Sequence, residues 1–216
     1  ECLMRLPETA IEVTEADDGD LFRRVLDEAL DALHTADIPF LLIGGIGSAV
    51  YGRDQGTRDI DVFVRPETSR RVLEELGARG FETKEVAERW LSKAMKDGVL
   101  VDVIFRSTRD ILLGDEMLHR SRVMPFRGRE VPLAPPEDLV VMKACAMSED
   151  TSRYWYDAVS IIAHSELDWD YLVARAREHG ARRLLSLLLF ATSLDIVVPS
   201  EPIETLYDAI GAGRAS

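Results

Sequence analysis

Hydrophobic residues recur along the chain at two spacings, one typical of helices and one typical of strands. Residues 21–36 carry apolar side chains along one helical stripe, which predicts an amphipathic helix that starts at Asp20 and ends at Ile38–Pro39. A short apolar strand follows over Phe40–Ile43, and Glu67–Ala78 shows the helical spacing again. The first part of the chain is therefore predicted to alternate between helices and strands.

Residues 59–64 alternate between polar and apolar positions, as expected for a strand. Asp59 and Asp61 then lie on one face, ~6.6 Å apart, while Ile60 and Val62 point into a core. Two carboxylates held side by side repel each other unless a cation lies between them. Hard oxygen ligands favour Mg²⁺ or Mn²⁺. The alternative is a solvated edge strand whose acids bind nothing.

A β-hairpin is predicted over Trp90–Phe105, because Asp97–Gly98 is a favoured two-residue turn between two possible strands. The second strand is almost entirely β-branched or aromatic, with Asp102 as its exception. A carboxylate in an apolar strand is costly to bury without a partner. Asp102 is therefore predicted to join Asp59 and Asp61, or else to be a hydrogen-bonded structural acid at a strand end.

Beyond Pro135 the pattern becomes helical almost throughout. We therefore predict an α/β (α+β) fold in which residues 1–134 form a catalytic core with a small mixed sheet and residues 135–216 form a helical domain. The candidate helices are Glu137–Met147, Arg153–His164, Asp170–His179, Ala181–Leu194 and Ile203–Ile210.

The net charge of −13 argues against indiscriminate nucleic-acid binding, which depends on a basic surface. Any nucleic-acid contact must come from a local patch, unless the arginines merely balance nearby acids. Two clusters are candidates: Arg120, Arg122, Arg127 and Arg129 around a loop or hairpin, and Arg175, Arg177, Arg182 and Arg183 at a helix junction.

The chain has two cysteines, Cys2 and Cys145, which are far apart and lack metal-ligand spacing. A disulfide scaffold or a zinc site is therefore not expected. The longest apolar runs, such as Leu187–Ala191, are far shorter than the ~20 residues of a membrane span. We expect no membrane association and a cytoplasmic location.

A glycine turn, Gly44–Gly45, links the first strand to a short predicted helix. Such a turn lets backbone N–H groups approach phosphate oxygens at a helix N-terminus. Ser48, placed in the first turn of that helix, is a candidate for a further phosphate contact. A dinucleotide-binding GxGxxG motif is not supported, because Val50 occupies its last position, and no P-loop motif occurs.

The ordered combination of Gly44–Gly45, Thr57-Arg58-Asp59-Ile60-Asp61-Val62 and Val101-Asp102-Val103 resembles the nucleotidyltransferase superfamily typified by DNA polymerase β. The resemblance covers residues 40–105. It implies two Mg²⁺ or Mn²⁺ ions held by the acid pair, with Asp102 completing the ion nearer the nucleophile. That carboxylate would also accept the proton of the attacking hydroxyl.

The helical half supplies a second group of candidate residues. Lys143 is the only lysine after Lys96 and lies in an otherwise apolar helix, so we expect it to face a negative group such as a triphosphate. The alternative is a surface lysine. Arg153 and Asp157, one helical turn apart, are candidates for a simple ion pair. The aromatic pair Trp155–Tyr156 suits base stacking or core packing.

A lysine-bearing helix followed by a helix with Arg and Asp resembles the AbiEii-type toxin branch of the superfamily, which includes the MenT toxins of mycobacteria. By position, the resemblance assigns nucleotide-phosphate binding to Lys143 and a functional carboxylate to Asp157. It implies an NTP substrate, transfer of a nucleotide to the 3′ end of tRNA, and a cognate antitoxin protein as partner.

Two alternatives remain open at this point. One is a transferase resembling the aminoglycoside and lincosamide nucleotidyltransferases, since an acidic protein suits a cationic antibiotic. The other is a weakly catalytic nucleotide-binding module that acts by pairing with a partner protein.

Overall fold

The computed structural model describes residues 15–52, 56–87, 89–149 and 151–212. In this part of the chain, seven strands form one mixed sheet and helices pack around it, which confirms the predicted α/β class. The strands are β1 (Phe40–Leu42), β2 (Asp59–Val64), β3 (Glu82–Ala87), β4 (Leu91–Lys96), β5 (Val99–Ile104), β6 (Arg122–Phe126) and β7 (Arg129–Leu133). The helices are α1 (Glu15–Thr35), α2 (Gly44–Tyr51), α3 (Ser69–Ala78), α4 (Asp115–His119), α5 (Pro136–Ala146), α6 (Arg153–His164), α7 (Trp169–His179), α8 (Ala181–Ser193) and α9 (Ser200–Ala212).

The sheet order is β3-β4-β5-β2-β1-β7-β6, so β2 lies near the centre. β2 runs antiparallel to β1 and parallel to β5. Because β2 has a hydrogen-bonded neighbour on each side, the alternative that its acids lie on a solvated edge strand is wrong.

The predicted hairpin consists of β4 and β5 joined by Asp97–Gly98. Both turn residues have positive φ, 50° for Asp97 and 78° for Gly98, as the favoured two-residue hairpin turn requires. The turn pairs Lys96 with Val99 and thereby fixes the register of the whole hairpin.

Helix α1 buries the predicted apolar stripe, although it begins at Glu15 rather than at Asp20. Asp20 is an exposed position inside the helix, where a polar residue is tolerated without acting as a cap. The fully buried residues of the stripe include Val25, Ala29 and Leu33.

Of the helices predicted in the second half, Arg153–His164 is observed with the predicted bounds, and the other four are observed with shifts of one to three residues at their ends. In the first half, α3 begins at Ser69 instead of Glu67, because Pro66–Thr68 forms a 3₁₀ turn ahead of it. A proline at the first helical position favours such a tight entry.

Strands β3, β6 and β7 and the short helix α4 extend the predicted core. β7 adds to the sheet in parallel with β1, through Leu42 opposite Leu133. Both edge strands of the sheet, β3 and β6, are polar or proline-containing, which limits pairing with other chains.

The proposed division at residues 134 and 135 coincides with the change from strand to helix, between β7 and α5. One cluster of buried side chains runs across it and includes Leu133 and Leu139. No helix in the described ranges is both long and apolar enough to cross a membrane.

Candidate active site

Two of the predicted acids lie side by side on neighbouring strands. Asp61 on β2 is the register partner of Asp102 on β5, and adjacent strands are about 4.8 Å apart. Asp59 lies two residues before Asp61, opposite Leu100, and is exposed. The fold thus brings the three acids to one region of the sheet, although they come from segments forty residues apart in the sequence.

The Asp61 carboxyl has an unusual environment. Loss of water contact, and then the negative charge of Asp102 and of Asp59, raise the pKa of Asp61 from 3.8 to about 6. A hydrogen bond from the Gly45 N–H and the positive charge of Lys143 act in the opposite direction. A carboxyl whose pKa is raised by burial and by neighbouring acids is a typical feature of functional sites.

The glycine turn sits directly against Asp61. Gly45 N donates to Asp61 Oδ2 over 3.4 Å, a long hydrogen bond. A Cβ on Gly44 would lie 2.5 Å from Asp61 Cγ, and a Cβ on Gly45 would lie 2.8 Å from Thr57 Cβ. Gly44 also has a φ of +59°, which an L side chain rarely adopts. The absence of a side chain at Gly44 therefore allows the backbone to approach the Asp61 carboxylate, and its absence at Gly45 makes room for Thr57.

Ser48 differs from its predicted setting. Because α2 begins at Gly44, Ser48 lies one turn into the helix rather than in its first turn. Its hydroxyl is buried and donates to the Gly44 carbonyl over 2.9 Å. A phosphate contact from Ser48 would require this hydrogen bond to break.

Asp102 has an ion-pair partner that was not predicted from the sequence. Lys93 Nζ on β4 lies 2.8 Å from Asp102 Oδ1, and the two residues face each other in the hairpin register. Asp102 is the fourth residue of a six-residue strand, so it does not lie at a strand end.

Lys143 and Asp157 form an ion pair between α5 and α6. Lys143 Nζ lies 2.8 Å from Asp157 Oδ2 and 5.0 Å from the centre of the Tyr154 ring. The Lys143 side chain is 7% exposed, so the alternative of a surface lysine is wrong. Asp157 pairs with Lys143 instead of with Arg153, whose guanidinium lies over Tyr154.

The helix that carries Lys143 is anchored at its first turn by two buried acids that the sequence reading missed. Asp138 accepts hydrogen bonds from the Tyr171 hydroxyl and from Arg175 Nε, both over 2.7 Å. Glu137 accepts the backbone N–H of Asp168 over 2.7 Å. These contacts fix α5 against α7 and so orient Lys143.

The four arginines of the first cluster and Arg175 of the second contact acids or aromatic rings of the protein. Arg175 of the second cluster pairs with Asp138 and Glu178. In the first cluster, Arg120 pairs with Glu116 and Asp168, Arg122 lies over Tyr51, Arg127 lies over Phe22, and Arg129 pairs with Asp27 and Asp31. Within the described part of the chain, three of the eight positive charges, those of Arg120, Arg129 and Arg175, are therefore balanced by close ion pairs.

The predicted aromatic pair is divided between core and surface. Trp155 is partly buried and contacts the Phe190 ring, with centroids 6.0 Å apart, whereas Tyr156 is 58% exposed. Core packing thus accounts for Trp155.

Asp59, Asp61 and Asp102 have the carboxylate chemistry that binds divalent metals, but their side chains are not arranged as a metal site. Across the described residues, no three acidic, histidine or cysteine side chains are arranged to hold a metal ion. Lys93 engages Asp102, and Gly45 engages Asp61. Burial, and then the negative charges of Asp102 and Asp59, raise the pKa of Asp61. A hard cation would offset that negative charge, and carboxylate oxygens suit Mg²⁺ or Mn²⁺.

A comparison with protein families decides the broader identity. The model of a family described as "Uncharacterised nucleotidyltransferase" matches residues 9–194, most of the chain. The chain belongs to this nucleotidyltransferase family. It is accordingly a transferase enzyme, and a nucleoside triphosphate is the substrate that the family implies. No curated protein sequence matches the chain.

Several solved structures resemble this nucleotidyltransferase at low identity. A lincosamide antibiotic adenylyltransferase with lincomycin bound is 17% identical, with 64% of this chain and 96% of that chain covered and a TM-score of 0.47. ANT(2″)-Ia in complex with adenylyl-2″-tobramycin is 19% identical over 90% and 99%, with a TM-score of 0.44. A nucleotidyltransferase-like antigen of Paracoccidioides brasiliensis is 13% identical over 90% and 94%, with a TM-score of 0.48.

Replacing Gly44 with alanine is expected to damage the site of this nucleotidyltransferase directly. The new Cβ would overlap the Asp61 carboxyl, and the positive φ would add about 1–2 kcal/mol of backbone strain. We expect Gly44→Ala to lower nucleotide transfer by roughly 100-fold, because small displacements of reacting groups have effects of that size. Gly211→Ala is the control, since nothing lies within 4 Å of its Cβ. Equal activity of both variants would contradict the placement of Gly44.

Stability is expected to depend on pH through Asp61. Since the folded pKa is about 6 and the unfolded value 3.8, the folded chain binds the extra proton between these values. Stability therefore falls as pH rises through that window, by about 2–3 kcal/mol in total. Urea unfolding at pH 4 and pH 7.5 should show Asp61→Asn gaining stability over the wild type only at the higher pH. A difference that does not change with pH would contradict the assignment.

Proposed function

We propose that this enzyme transfers a nucleoside monophosphate from an NTP to an acceptor hydroxyl. The observation that carries the proposal is the placement of Asp61 beside Asp102 and directly against the Gly44–Gly45 turn. A phosphate-binding turn next to paired carboxylates is suited to holding a triphosphate while a hydroxyl attacks it.

Each residue has a distinct role in the proposed reaction. Asp59 and Asp61 would hold divalent ions, which supply charge stabilisation for the attacking and leaving oxygens of an in-line displacement. The backbone of Gly44 and Gly45 would bind phosphate oxygens. Asp102 would accept the proton of the attacking hydroxyl, and pyrophosphate would leave.

Lys143 would supply positive charge to the phosphates of the bound nucleotide. Its ammonium is already close enough to lower the pKa of Asp61. Buried between α5 and α6, it is pre-positioned by Asp157 and loses little freedom on binding a phosphate. Asp157 would therefore act by orienting Lys143.

For the acceptor, the paired arginines favour a small, cationic molecule over a polyanion. Binding of tRNA depends on free lysine and arginine side chains that replace counterions. Arg120, Arg129 and Arg175 are instead paired with acids, and the net charge is −13. An acceptor such as an aminocyclitol or aminosugar, as in the antibiotic alternative, meets a complementary charge.

Transfer to the 3′ end of tRNA is the second candidate, favoured by basic residues close to the proposed site. Arg58 adjoins Asp59, and Arg153 on α6 is exposed. Neither forms an ion pair with another described residue. In that case the protein would be the toxin of a cytoplasmic toxin–antitoxin pair, with an antitoxin as protein partner.

Incubation with each α-labelled NTP, purified tRNA and a panel of aminoglycosides and lincosamides separates these acceptors. Label on an antibiotic supports the small cationic acceptor, and label on tRNA supports the toxin. Growth arrest on expression that Asp61→Ala relieves would add support for the toxin. Nucleotide binding without transfer to any acceptor would contradict the proposal and favour the binding module.

A further inference from the structure

The positive charges near the three acids are unequally distributed. Asp102 has Lys93 at 2.8 Å, and Lys143 is bound to Asp157. Among the described residues, no ion pair involves Asp59 or Asp61. One acid of the three is thus neutralised by the protein itself, while the other two are left for a cation from solution.

The position of Lys93 is set by the hairpin and not by a flexible surface contact. The two-residue turn at Asp97–Gly98 places Lys93 directly opposite Asp102, where cross-strand side chains are nearest neighbours. The side chains of the pair are 33% and 18% exposed, so both are partly removed from water. Lys84, the next residue across on β3, is exposed and forms no ion pair with a described residue.

We propose that Lys93 is an internal cation of the site. Its ammonium binds the Asp102 carboxylate and occupies the position that a second divalent ion would otherwise take. In the protein without substrate, a divalent ion then binds through Asp59 and Asp61 alone. A second ion at Asp102 requires displacement of the Lys93 ammonium. Lys93 is therefore a positioning residue for the acid that faces the acceptor, and this role in catalysis rests on the proposed function.

Binding of Mn²⁺ to the substrate-free protein, measured by electron paramagnetic resonance titration at pH 7.5, tests the inference. We expect Lys93→Met to bind a second ion, or the first about fivefold more tightly, the size expected when a partly exposed ion pair no longer competes. Lys93→Arg keeps the charge and should bind Mn²⁺ like the wild type. Lys84→Met removes the same charge one strand further out and should also leave binding unchanged. Unaltered Mn²⁺ binding by folded Lys93→Met would overturn the inference.

Asp102→Asn provides a second measurement that does not depend on the folding of the lysine variant. Because the Lys93 ammonium already neutralises the Asp102 carboxylate, Asp102→Asn should bind Mn²⁺ as the wild type does. Asp61→Asn, in contrast, should lose Mn²⁺ binding. Loss of an ion in Asp102→Asn would overturn the proposed role of Lys93. These readouts concern metal binding alone, so a failure here is distinguishable from failure of the wild type to transfer nucleotides.

Discussion

Replacing Asp61 with asparagine is expected to lower nucleotide transfer by roughly 1000-fold while the folded protein stays intact. Asp61 lies beside Asp102 and against the glycine turn, so both the metal-binding oxygen and its charge are lost at the centre of the site. At pH 7.5 the thermal midpoint should not fall, because the substitution removes a charge that burial and neighbouring acids disfavour. Transfer of label from α-labelled NTP and a thermal scan measure the two effects.

Asp59→Ala and Asp61→Ala should likewise abolish transfer with the fold retained, because both acids belong to the proposed metal-binding pair. Asp208→Asn, an exposed carboxylate on α9, is the matched control and should behave like the wild type. Full activity of any of the Asp59 or Asp61 variants with Mg²⁺ would overturn the assignment of the acid pair.

Breaking the ion pair between Lys143 and Asp157 is expected to have the largest effect on stability. Lys143→Met leaves the Asp157 carboxylate, 16% exposed, without its partner. Removal of one member of such a pair typically destabilises a protein by about 3 kcal/mol or more. The double variant Lys143→Met/Asp157→Leu should recover most of the loss, since no uncompensated charge then remains. Urea unfolding of the wild type, of Lys143→Met, of Asp157→Leu and of the double variant gives the double-mutant cycle.

The exposed pair of Arg70 and Glu74 on α3 serves as the control for this cycle. Its side chains are 85% and 65% exposed, so Arg70→Met should change the free energy of unfolding by less than about 0.5 kcal/mol. If the losses of unfolding free energy in the two single variants simply add in the double variant, Lys143 and Asp157 are not coupled. The proposal that their ion pair shapes the site would then be wrong. A raised KM for NTP in Lys143→Met would be the matching functional effect.

Those features of the site that depend only on neighbouring residues could be predicted from the sequence. The glycine turn, the strand with alternating acids and the hairpin around Asp97–Gly98 all depend on neighbouring residues, and each is observed. The contact between Asp61 and Asp102 joins segments far apart in the chain. Its register is set by parallel pairing of β2 and β5, which no local pattern encodes.

Lys93 is a residue that the sequence could have revealed. A two-residue turn fixes every cross-strand pair of a hairpin, so the predicted Asp97–Gly98 turn already implies Lys93 opposite Asp102. The acid was noticed because it interrupts an apolar strand, whereas the lysine lies in a mixed strand and gives no such contrast.

The pairing of the arginines is a feature that their positions in the sequence could not predict. Nearness in sequence grouped Arg120 with Arg129, yet the first pairs with Glu116 and Asp168 and the second with acids of α1. Acids far away in the sequence, such as Asp168 for Arg120 and Asp27 for Arg129, help to decide whether an arginine is free for a phosphate. Counting charges along the chain therefore overestimates the basic surface available to tRNA.

The position of the transferred label tests the central claim most directly. With α-labelled NTP, a nucleotidyltransferase places label on the acceptor, and with γ-labelled NTP the label leaves in pyrophosphate. The account predicts this outcome with Mg²⁺ for the wild type and its loss in Asp61→Asn. Label on the acceptor from γ-labelled NTP would show phosphoryl transfer instead and would contradict the account.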